Sequence, residues 1–259
     1  MNPSTAPSPA TTPRSVLVTG GSRGIGAAAA LLSAQRGWAV AVNYTRDAVA
    51  AQGIVSRIRD AGGTALAVQA DVSDEAAVLA MFATIDRELP RLDALVNNAG
   101  VVDLQGRVDE TTMQRLQRMF AINVFGSFIC AREAVLRMST KHGGAGGTIV
   151  NLSSAAARIG SPGQYVDYAA AKGAIDVFTL GLAKEVALEG IRVNAVRPGI
   201  IETDIHASGG TPQRANQMAP LVPMQRAGSA EEVAQAIVWL MSEQSSYTTG
   251  AVIDVAGGR

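Results

Sequence analysis

The stretch SVLVTGGSRGIG, residues 15–26, decides the fold. A short apolar run leads directly into a turn with glycines at 20, 24 and 26, and an alanine-rich helical pattern follows. Glycines let the backbone turn tightly and approach an anion, and a helix N-terminus adds unpaired N–H groups and a positive dipole end. The spacing is G-x-x-x-G-x-G, which is weak by itself, but its place between the first strand and helix favours a pyrophosphate site. The residues predicted to form it are Gly20, Ser22, Arg23, Gly24, Ile25 and Gly26.

Seven short β-branched runs alternate with helical patterns along the rest of the chain. The predicted strands are 15–19, 38–43, 64–70, 93–97, 147–153, 191–196 and 251–255, and the predicted helices are 24–36, 47–61, 74–89, 112–139, 166–189 and 229–242. Several strands are apolar at nearly every position, as strands covered on both faces are. We therefore predict one α/β domain over 15–259, a Rossmann-type doubly wound parallel sheet of seven strands with helices on both faces.

Two stretches fall outside this alternation. Residues 1–14 are rich in proline and small polar residues and lack an apolar core, so we expect a disordered tail and neither a signal peptide nor an anchor. Residues 198–228 carry four prolines and no helical pattern, and long irregular loops in compact domains are usually functional. We interpret 198–228 as a substrate-covering lid, with an ordinary surface excursion as the alternative.

Composition excludes several classes of function. The 22 basic residues balance the 22 acidic ones, and no basic stripe suited to nucleic acid is present. Cys130 is the only cysteine, so we expect no disulfide, no thiolate zinc site and a small buried side chain at that position. No apolar run approaches the ~20 residues that cross a bilayer. We therefore expect a cytoplasmic protein with no membrane span, no metal site and a small-molecule ligand.

The end of the second strand indicates the cofactor. An acidic residue here would bind the adenosine ribose hydroxyls of NAD, but the sequence VNYTRD, residues 42–47, has Tyr44 at that position and Arg46 two residues later. Arg23 and Arg46 could bind a 2′-phosphate, so NADP(H) is favoured over NAD(H). Two solvated surface arginines are the alternative, and Asp47 weakens the preference.

The chain resembles the short-chain dehydrogenase/reductase family in seven motifs that occur in order. They are TGGSRGIG, DV at 71–72, NNAG at 97–100, Asn123, the serines at 153–154, YAAAK at 168–172 and PGIIET at 198–203. The resemblance covers residues 15–259. Within the family, the sequence is similar to those of bacterial glucose dehydrogenases and 3-oxoacyl-thioester reductases. It implies a soluble NAD(P)-dependent oxidoreductase that acts on a carbonyl or alcohol and assembles as a homodimer or homotetramer.

The resemblance also implies a role for each matching residue. Asp71 and Val72 would contact the adenine, and Asn98, Ala99 and Gly100 would form the strand-end turn beside the cofactor. Pro198, Gly199, Ile201 and Thr203 would meet the nicotinamide, and Asn123 would hold a water in a proton relay. The family's catalytic serine usually lies thirteen residues before the tyrosine, where this chain has Ala155. Ser154 is therefore assigned across one extra loop residue, with Ser153 as the alternative.

Tyr168 and Lys172 are predicted to carry the acid–base chemistry. Positions four apart share a helix face, and an ammonium ~4 to 5 Å from a phenol at an effective dielectric of ~20 lowers its pKa by roughly 2 to 3 units. Lys172 would also reach the nicotinamide ribose. Tyr165 is interpreted as packing, with a pocket wall as the alternative, and His206 in the 198–228 segment is a candidate substrate contact. A catalytically silent dinucleotide sensor and an NAD(H)-dependent alcohol or sugar dehydrogenase remain the alternative functions.

Overall fold

A computed structural model describes residues 14–203 and 209–259. The tail prediction for 1–14 therefore falls almost wholly outside the described residues, as does the proposed role of His206. Arg14 is described: its guanidinium lies 4.4 Å from the centre of the Trp38 ring, and its carbonyl accepts from the amide of Ala39. Arg14, the last residue of the predicted tail, therefore packs on the body of the protein.

The centre of the molecule is one seven-stranded, fully parallel sheet. Its strands are β1 (Ser15–Val18), β2 (Ala39–Tyr44), β3 (Ala65–Gln69), β4 (Leu92–Asn97), β5 (Gly147–Leu152), β6 (Ile191–Pro198) and β7 (Val252–Val255), in the spatial order β3-β2-β1-β4-β5-β6-β7. This confirms the predicted Rossmann-type doubly wound sheet. The order reverses between β1 and β4, and in such sheets ligands bind in the crevice at that point.

Helices cover both faces of the sheet. They are α1 (Gly24–Gln35), α2 (Ala48–Asp60), α3 (Glu75–Glu88), α4 (Met113–Phe120), α5 (Gly126–Met138), α6 (Ala156–Ile159), α7 (Val166–Val186), α8 (Arg214–Met218) and α9 (Ala230–Met241). The first core cluster packs α1, α2 and α9 on one face, and the second packs α3, α5 and α7 on the other. Alternate residues of β1 belong to different clusters: Val16 and Val18 to the first, Leu17 to the second. Burial on both faces explains why these strands are apolar throughout.

Polar caps fix several helix starts where the sequence places them. The carboxylate of Asp47 accepts from the amide of Ala50 at 2.9 Å, and that of Asp74 accepts from the amide of Ala76 at 2.9 Å. Ser229 and Glu232 form a reciprocal capping box at the start of α9. Each cap satisfies amides that have no partner inside the helix.

Two predicted elements need correction. The single helix predicted over 112–139 is divided into α4 and α5 by a π-helical turn at Ala121–Phe125, and Asn123 lies within that turn. The stretch 198–228 is less irregular than predicted, because α8 and a 3-10 turn at Ala219–Leu221 lie inside it. Both elements are too short to show a clear amphipathic pattern. The surrounding prolines therefore led to the prediction of an irregular stretch. A further short helix, α6, was not predicted.

The continuous helical path Met113–Met138 is long and apolar enough to cross a bilayer, judged by length and composition alone. It has 26 residues with a mean hydropathy of 1.5 over its most apolar window. Charged residues at 115, 118, 132, 133 and 137 interrupt this path, so it contains no uninterrupted apolar run of about 20 residues. Half of that window is buried inside the protein, where α5 packs against β4, and core helices of globular proteins pass the same test.

Candidate active site

A cavity of about 480 Å³ opens at the carboxyl edge of the sheet, beside the point where the strand order reverses. Its walls come from the turns after β1, β4, β5 and β6, from the start of α7 and from α8. Predicted site residues that line it are Ile25, Asn98, Gly100, Ser154, Tyr168, Lys172, Pro198, Gly199, Ile201 and Thr203. Segments far apart in sequence therefore meet around one space.

The glycine turn has the shape that a phosphate group requires. Gly20 and Gly24 have φ of +61° and +53°, which other residues adopt only with strain. A Cβ on Gly26 would lie 2.3 Å from the carbonyl oxygen of Gly20. The N-terminus of α1 carries no side-chain cap, so its first amides are available to an anion. Ser22 and Arg23 complete the turn, and the residues present fit a dinucleotide pyrophosphate.

Buried polar residues hold this turn in place. The side-chain oxygen of Asn43 accepts from the amide of Gly20 at 3.1 Å, while its NH₂ group donates to the carbonyl of Ala70 at 3.0 Å. The amide group of Asn98 donates to the carbonyls of Thr19 and Gly20 at 2.9 and 3.1 Å. The Thr19 hydroxyl accepts from the amides of Asn98 and Ala99, both at 3.0 Å. The predicted strand-end residues Asn98 and Ala99 thus brace the glycine turn directly.

The ends of β2 and β3 lie beside this turn in the sheet. Tyr44 ends β2 and is half-buried, and Arg46 and Arg23 are exposed. Neither arginine forms an ion pair within the described ranges. Asp47 caps α2, so its carboxylate is already engaged by that helix.

Asp71 and Val72 follow β3 and have different environments. Asp71 is exposed, and one of its oxygens accepts from the amide and the hydroxyl of Ser73 at 2.9 and 2.6 Å. Val72 is buried against Gly126, where a Cβ would lie 2.7 Å from its side chain. Val72 therefore fixes the height of α5 above this edge of the sheet.

The segment after β6 closes the opposite side of the cavity. Pro198 ends β6, and a Cβ on Gly199 would lie 2.7 Å from the Cα of Ala256. Ile201 pairs with Gly228 in an isolated parallel bridge. The methyl group of Thr203 lies 3.3 Å from where a Cβ of Gly24 would be. The predicted nicotinamide segment therefore lies next to the predicted pyrophosphate turn.

Tyr168 and Lys172 lie side by side on α7, as their spacing predicts. The Lys172 ammonium is 5.6 Å from the centre of the Tyr168 ring and donates to the carbonyl of Leu152 at 2.7 Å. Burial raises the pKa of Tyr168 to about 12, against the opposing influence of the Ser154 hydroxyl. Burial lowers the pKa of Lys172 to about 8, although the negative charge of Asp176 raises it.

The expectation that Lys172 brings the pKa of Tyr168 down toward neutrality is therefore wrong for this structure. Desolvation disfavours both charged forms, because phenolate and ammonium each lose hydration when buried. In this state Tyr168 is a protonated phenol throughout the neutral range.

The two candidate serines have different partners. The Ser153 hydroxyl donates to the backbone carbonyl of Lys172 at 3.2 Å, so it ties β5 to α7. Ser154 lies at the cavity wall, accepts from the amide of Ala156 at 3.1 Å and influences the Tyr168 phenol. These contacts favour Ser154 as the serine beside the tyrosine.

Asn123 is fully buried next to the tyrosine–lysine pair. Its NH₂ group donates to the carbonyls of Val101 and Met119, each at 3.0 Å, and its oxygen accepts from the amide of Val101 at 3.2 Å. A Cβ on Gly100 would lie 2.8 Å from this oxygen and 3.5 Å from the Lys172 ammonium. Gly100 therefore keeps Asn123 and Lys172 close together.

Comparison with known proteins identifies the family. A family model described as enoyl-(acyl carrier protein) reductase matches residues 20–259. A short-chain dehydrogenase/reductase of Serratia marcescens, solved as a double mutant, superposes with a TM-score of 0.87 at 33% identity, covering 97% of this chain and 99% of that one. The chain belongs to the short-chain dehydrogenase/reductase family. It is an oxidoreductase of the kind that uses NAD or NADP.

Similar members of the family include a glucose dehydrogenase and a 3-oxoacyl-thioester reductase, the two kinds of enzyme that the sequence resembles. An uncharacterised oxidoreductase of Escherichia coli K12 is 59% identical, over 94% of this chain and 98% of its own length. Glucose 1-dehydrogenase 2 of Bacillus subtilis is 36% identical over 95% of both chains. A 3-oxoacyl-[acyl-carrier-protein] reductase of Staphylococcus aureus is 37% identical over 95% of this chain and 97% of its own.

Sequence reasoning missed several residues of this family member's site. Tyr165 is not one of them, because it is buried and lines the cavity, which agrees with the pocket-wall alternative given for it. The role of Asn43 was not predicted, because a single asparagine inside an apolar strand belongs to no recognisable motif. Asp176 could have been found, since it lies one helical turn beyond Lys172; it pairs with Arg197 at 2.9 Å. Arg214 and Arg259 also line the cavity, and nothing in their sequence context indicates it.

Two further sequence expectations concern other parts of the molecule. Cys130 is buried in α5, where desolvation raises the pKa of its thiol to about 12. This confirms its interpretation as a small core side chain. Within 14–203 and 209–259, no three His, Cys, Asp or Glu side chains are grouped so that they could hold a metal ion.

Proposed function

We propose that the protein is an NADP(H)-dependent oxidoreductase that interconverts a carbonyl group and a secondary alcohol, with Tyr168 as the general acid or base. The observation that carries the proposal is the convergence of Tyr168, Lys172 and Ser154 on one cavity beside the glycine turn. A buried phenol with a raised pKa holds its proton at neutral pH, which suits donation to a carbonyl oxygen during reduction.

The protein's residues divide the remaining work. Gly20, Gly24 and Gly26 would hold the pyrophosphate against the first turn of α1, and Arg23 and Arg46 would hold an adenosine 2′-phosphate. When bound, the nicotinamide supplies hydride for reduction or accepts it for oxidation. Both arginines are exposed and have no ion-pair partner in the described chain, which supports NADP(H) over NAD(H).

Around the substrate, Ser154 would orient and polarise the carbonyl oxygen while Tyr168 gives it the proton. Lys172, held by the carbonyl of Leu152, supplies positive charge beneath the phenol and can reach the nicotinamide ribose. Asn123, fixed by its hydrogen bonds to Val101 and Met119, would hold the relay water that returns the proton. In the oxidative direction the phenolate is the base.

A second feature supports self-association. Apolar side chains of the α4–α5 path and of α7 remain exposed, and the Phe128 and Phe178 rings stack at 3.8 Å. Exposed members of this set include Met113, Phe125, Phe128, Leu136, Val177 and Leu180. Exposed apolar side chains concentrated on helices in this way are typical of an interface. We propose a homodimer or homotetramer in the cytoplasm, tested by light scattering of the purified chain; a monomer would contradict it.

The reaction is tested by following NADPH and NADH absorbance with diketones, sugars, 3-oxoacyl thioesters and an enoyl thioester. We expect turnover of at least one carbonyl compound, faster with NADPH. Reduction of the enoyl thioester alone would replace carbonyl chemistry with double-bond reduction. Tight NADPH binding without turnover of any compound would favour the silent dinucleotide binder.

A further inference from the structure

The cavity wall contains two arginines that the proposed chemistry does not use. Arg214 begins α8, and Arg259 follows the glycine pair at 257–258. Both line the same space as Tyr168 and Ser154. They lie close enough for the charge of Arg214 to act on Arg259.

Among the described residues, neither guanidinium group has an anionic partner. Arg214 donates to the side-chain oxygen of Gln164 at 2.6 Å and lies 5.2 Å from the centre of the Tyr165 ring. One terminal nitrogen of Arg259, Nη1, is buried and has no hydrogen-bond partner within 14–203 and 209–259. Neither arginine forms an ion pair in the described part of the chain, and the described residues that line the cavity include no aspartate or glutamate.

This arrangement costs free energy unless a ligand completes it. A buried donor without an acceptor loses its hydration with nothing in return, and two like charges repel each other. Burial, and then the charge of Arg214, lower the pKa of Arg259. An anion between the guanidinium groups would remove both penalties, and planar guanidinium groups match carboxylate and phosphate oxygens.

The backbone holds Arg259 in place. Gly257 and Gly258 have φ of +62° and +92°. Their carbon atoms pack under the segment after α8, where added Cβ atoms would lie 2.7 Å from Val222 and 3.0 Å from Pro223. The carbonyl of Gly257 accepts from the amide of Met224 at 3.1 Å. The position of Arg259 is therefore set by a packed turn.

We propose that Arg214 and Arg259 bind an anionic group of the substrate, a carboxylate or a phosphate-type group, at the end of the cavity away from the glycine turn. This rests on the proposed carbonyl–alcohol chemistry and names its substrate class. Apolar side chains line the same cavity, among them Val102, Ile159 and Ile200. The substrate is thus an anionic carbonyl compound, or the corresponding hydroxy acid, with an apolar spacer.

The test uses paired ketones that differ in charge. Pyruvate, acetoacetate, levulinate and 5-oxohexanoate are each compared with the methylamide of the same acid, and 2-oxopropylphosphonate separates a phosphate-type group from a carboxylate. For the best member of the series we expect kcat/KM about 10- to 100-fold higher for the anion than for its amide. Most of the difference should lie in KM.

Variants assign the preference to the two arginines. Arg214→Met and Arg259→Met should each reduce the anion-to-amide ratio about 10-fold, and the lysine variants of both should retain part of it, because a lysine keeps the charge but not the two-pronged contact. Arg107→Met, at an exposed arginine paired with Asp109, should leave the ratio unchanged.

Three results would overturn the inference. The first is equal rates on anions and amides by the unaltered enzyme. The second is an equal loss on both substrates in the methionine variants, which would mean a structural role. The third is a changed oligomeric state or a raised KM for NADPH, which would assign the arginines to a partner subunit or to the cofactor. Absence of turnover on every ketone, charged or neutral, would contradict the proposed function itself.

Discussion

The two ends of the cavity are built differently. At the nucleotide end, one short turn of consecutive residues is fixed by its own glycines and by Thr19, Asn43 and Asn98. At the substrate end, side chains from separate segments form the wall, as where Arg214 of α8 donates to Gln164 at 2.6 Å and lies 5.2 Å from the centre of the Tyr165 ring.

This difference explains how relatives with different named substrates share the fold. The nucleotide end depends on backbone shape, which tolerates little change. The substrate end depends on side chains from loops, and loops accept substitution without loss of the scaffold. The glycine turn therefore indicates the cofactor class, whereas the substrate is determined by residues that no motif contains.

The largest expected effect separates chemistry from nucleotide binding. Tyr168→Phe removes the proton donor, so we expect kcat to fall about 10²- to 10⁴-fold. The glycine turn is untouched, so the Kd for NADPH, measured by fluorescence titration, should stay nearly constant. Tyr165→Phe is the matched control, because it removes the neighbouring hydroxyl and keeps the ring beside Arg214; its loss should be much smaller. Equal losses in the two variants would refute the assignment of the proton to Tyr168.

The next largest effect is at the nucleotide end. Gly26→Ala places a Cβ 2.3 Å from the Gly20 carbonyl and 2.5 Å from the Asn98 side chain. The turn must shift, so we expect NADPH binding at least about 10-fold weaker and unfolding free energy about 1 to 3 kcal/mol lower. Gly53→Ala, in α2 with open space around it, should be neutral or stabilising. An unchanged Kd for NADPH in Gly26→Ala would show that the turn does not depend on this close approach.

A smaller effect follows from the burial of Lys172. Its folded pKa of about 8 lies below the ordinary 10.5, so the ammonium is present below about pH 8 and lost above it. Tyr168, with a pKa of about 12, keeps its proton over the same range. Reductive kcat/KM should therefore be flat below about pH 8 and fall up to about tenfold per unit above it. For alcohol oxidation, kcat/KM should instead rise with pH, because that direction needs the Tyr168 phenolate.

Lys172→Met identifies the group that causes this fall. The variant should have a lower kcat/KM at neutral pH, and its profile should lack the decline that begins near pH 8. A decline at the same pH in Lys172→Met would assign the titration to another group.

The sequence predicts the nucleotide end far better than the substrate end. The sheet, its parallel direction and most element bounds follow from apolar runs, glycines and caps such as Asp47 and Ser229. The meeting of Tyr168, Lys172 and Ser154 follows from motif spacing. The pKa of Tyr168 does not, because it depends on how completely the fold removes water from the phenol. Arg259 is also beyond prediction, since its place depends on the packing of Gly257 and Gly258 under a distant loop.

The smallest expected effect tests the charge at the outer edge of the nucleotide end. Arg46 is exposed, so water and salt screen its attraction for a 2′-phosphate, and Arg46→Ala should raise the KM for NADPH only about five- to tenfold. The KM for NADH should not change, and the NADPH effect should shrink as salt is added. Arg36→Ala, at the far end of α1, is the matched control for loss of one positive charge. An equal rise in KM for both cofactors would mean that Arg46 supports the loop after β2 rather than the phosphate, and the choice of NADP(H) would then rest on Arg23 alone.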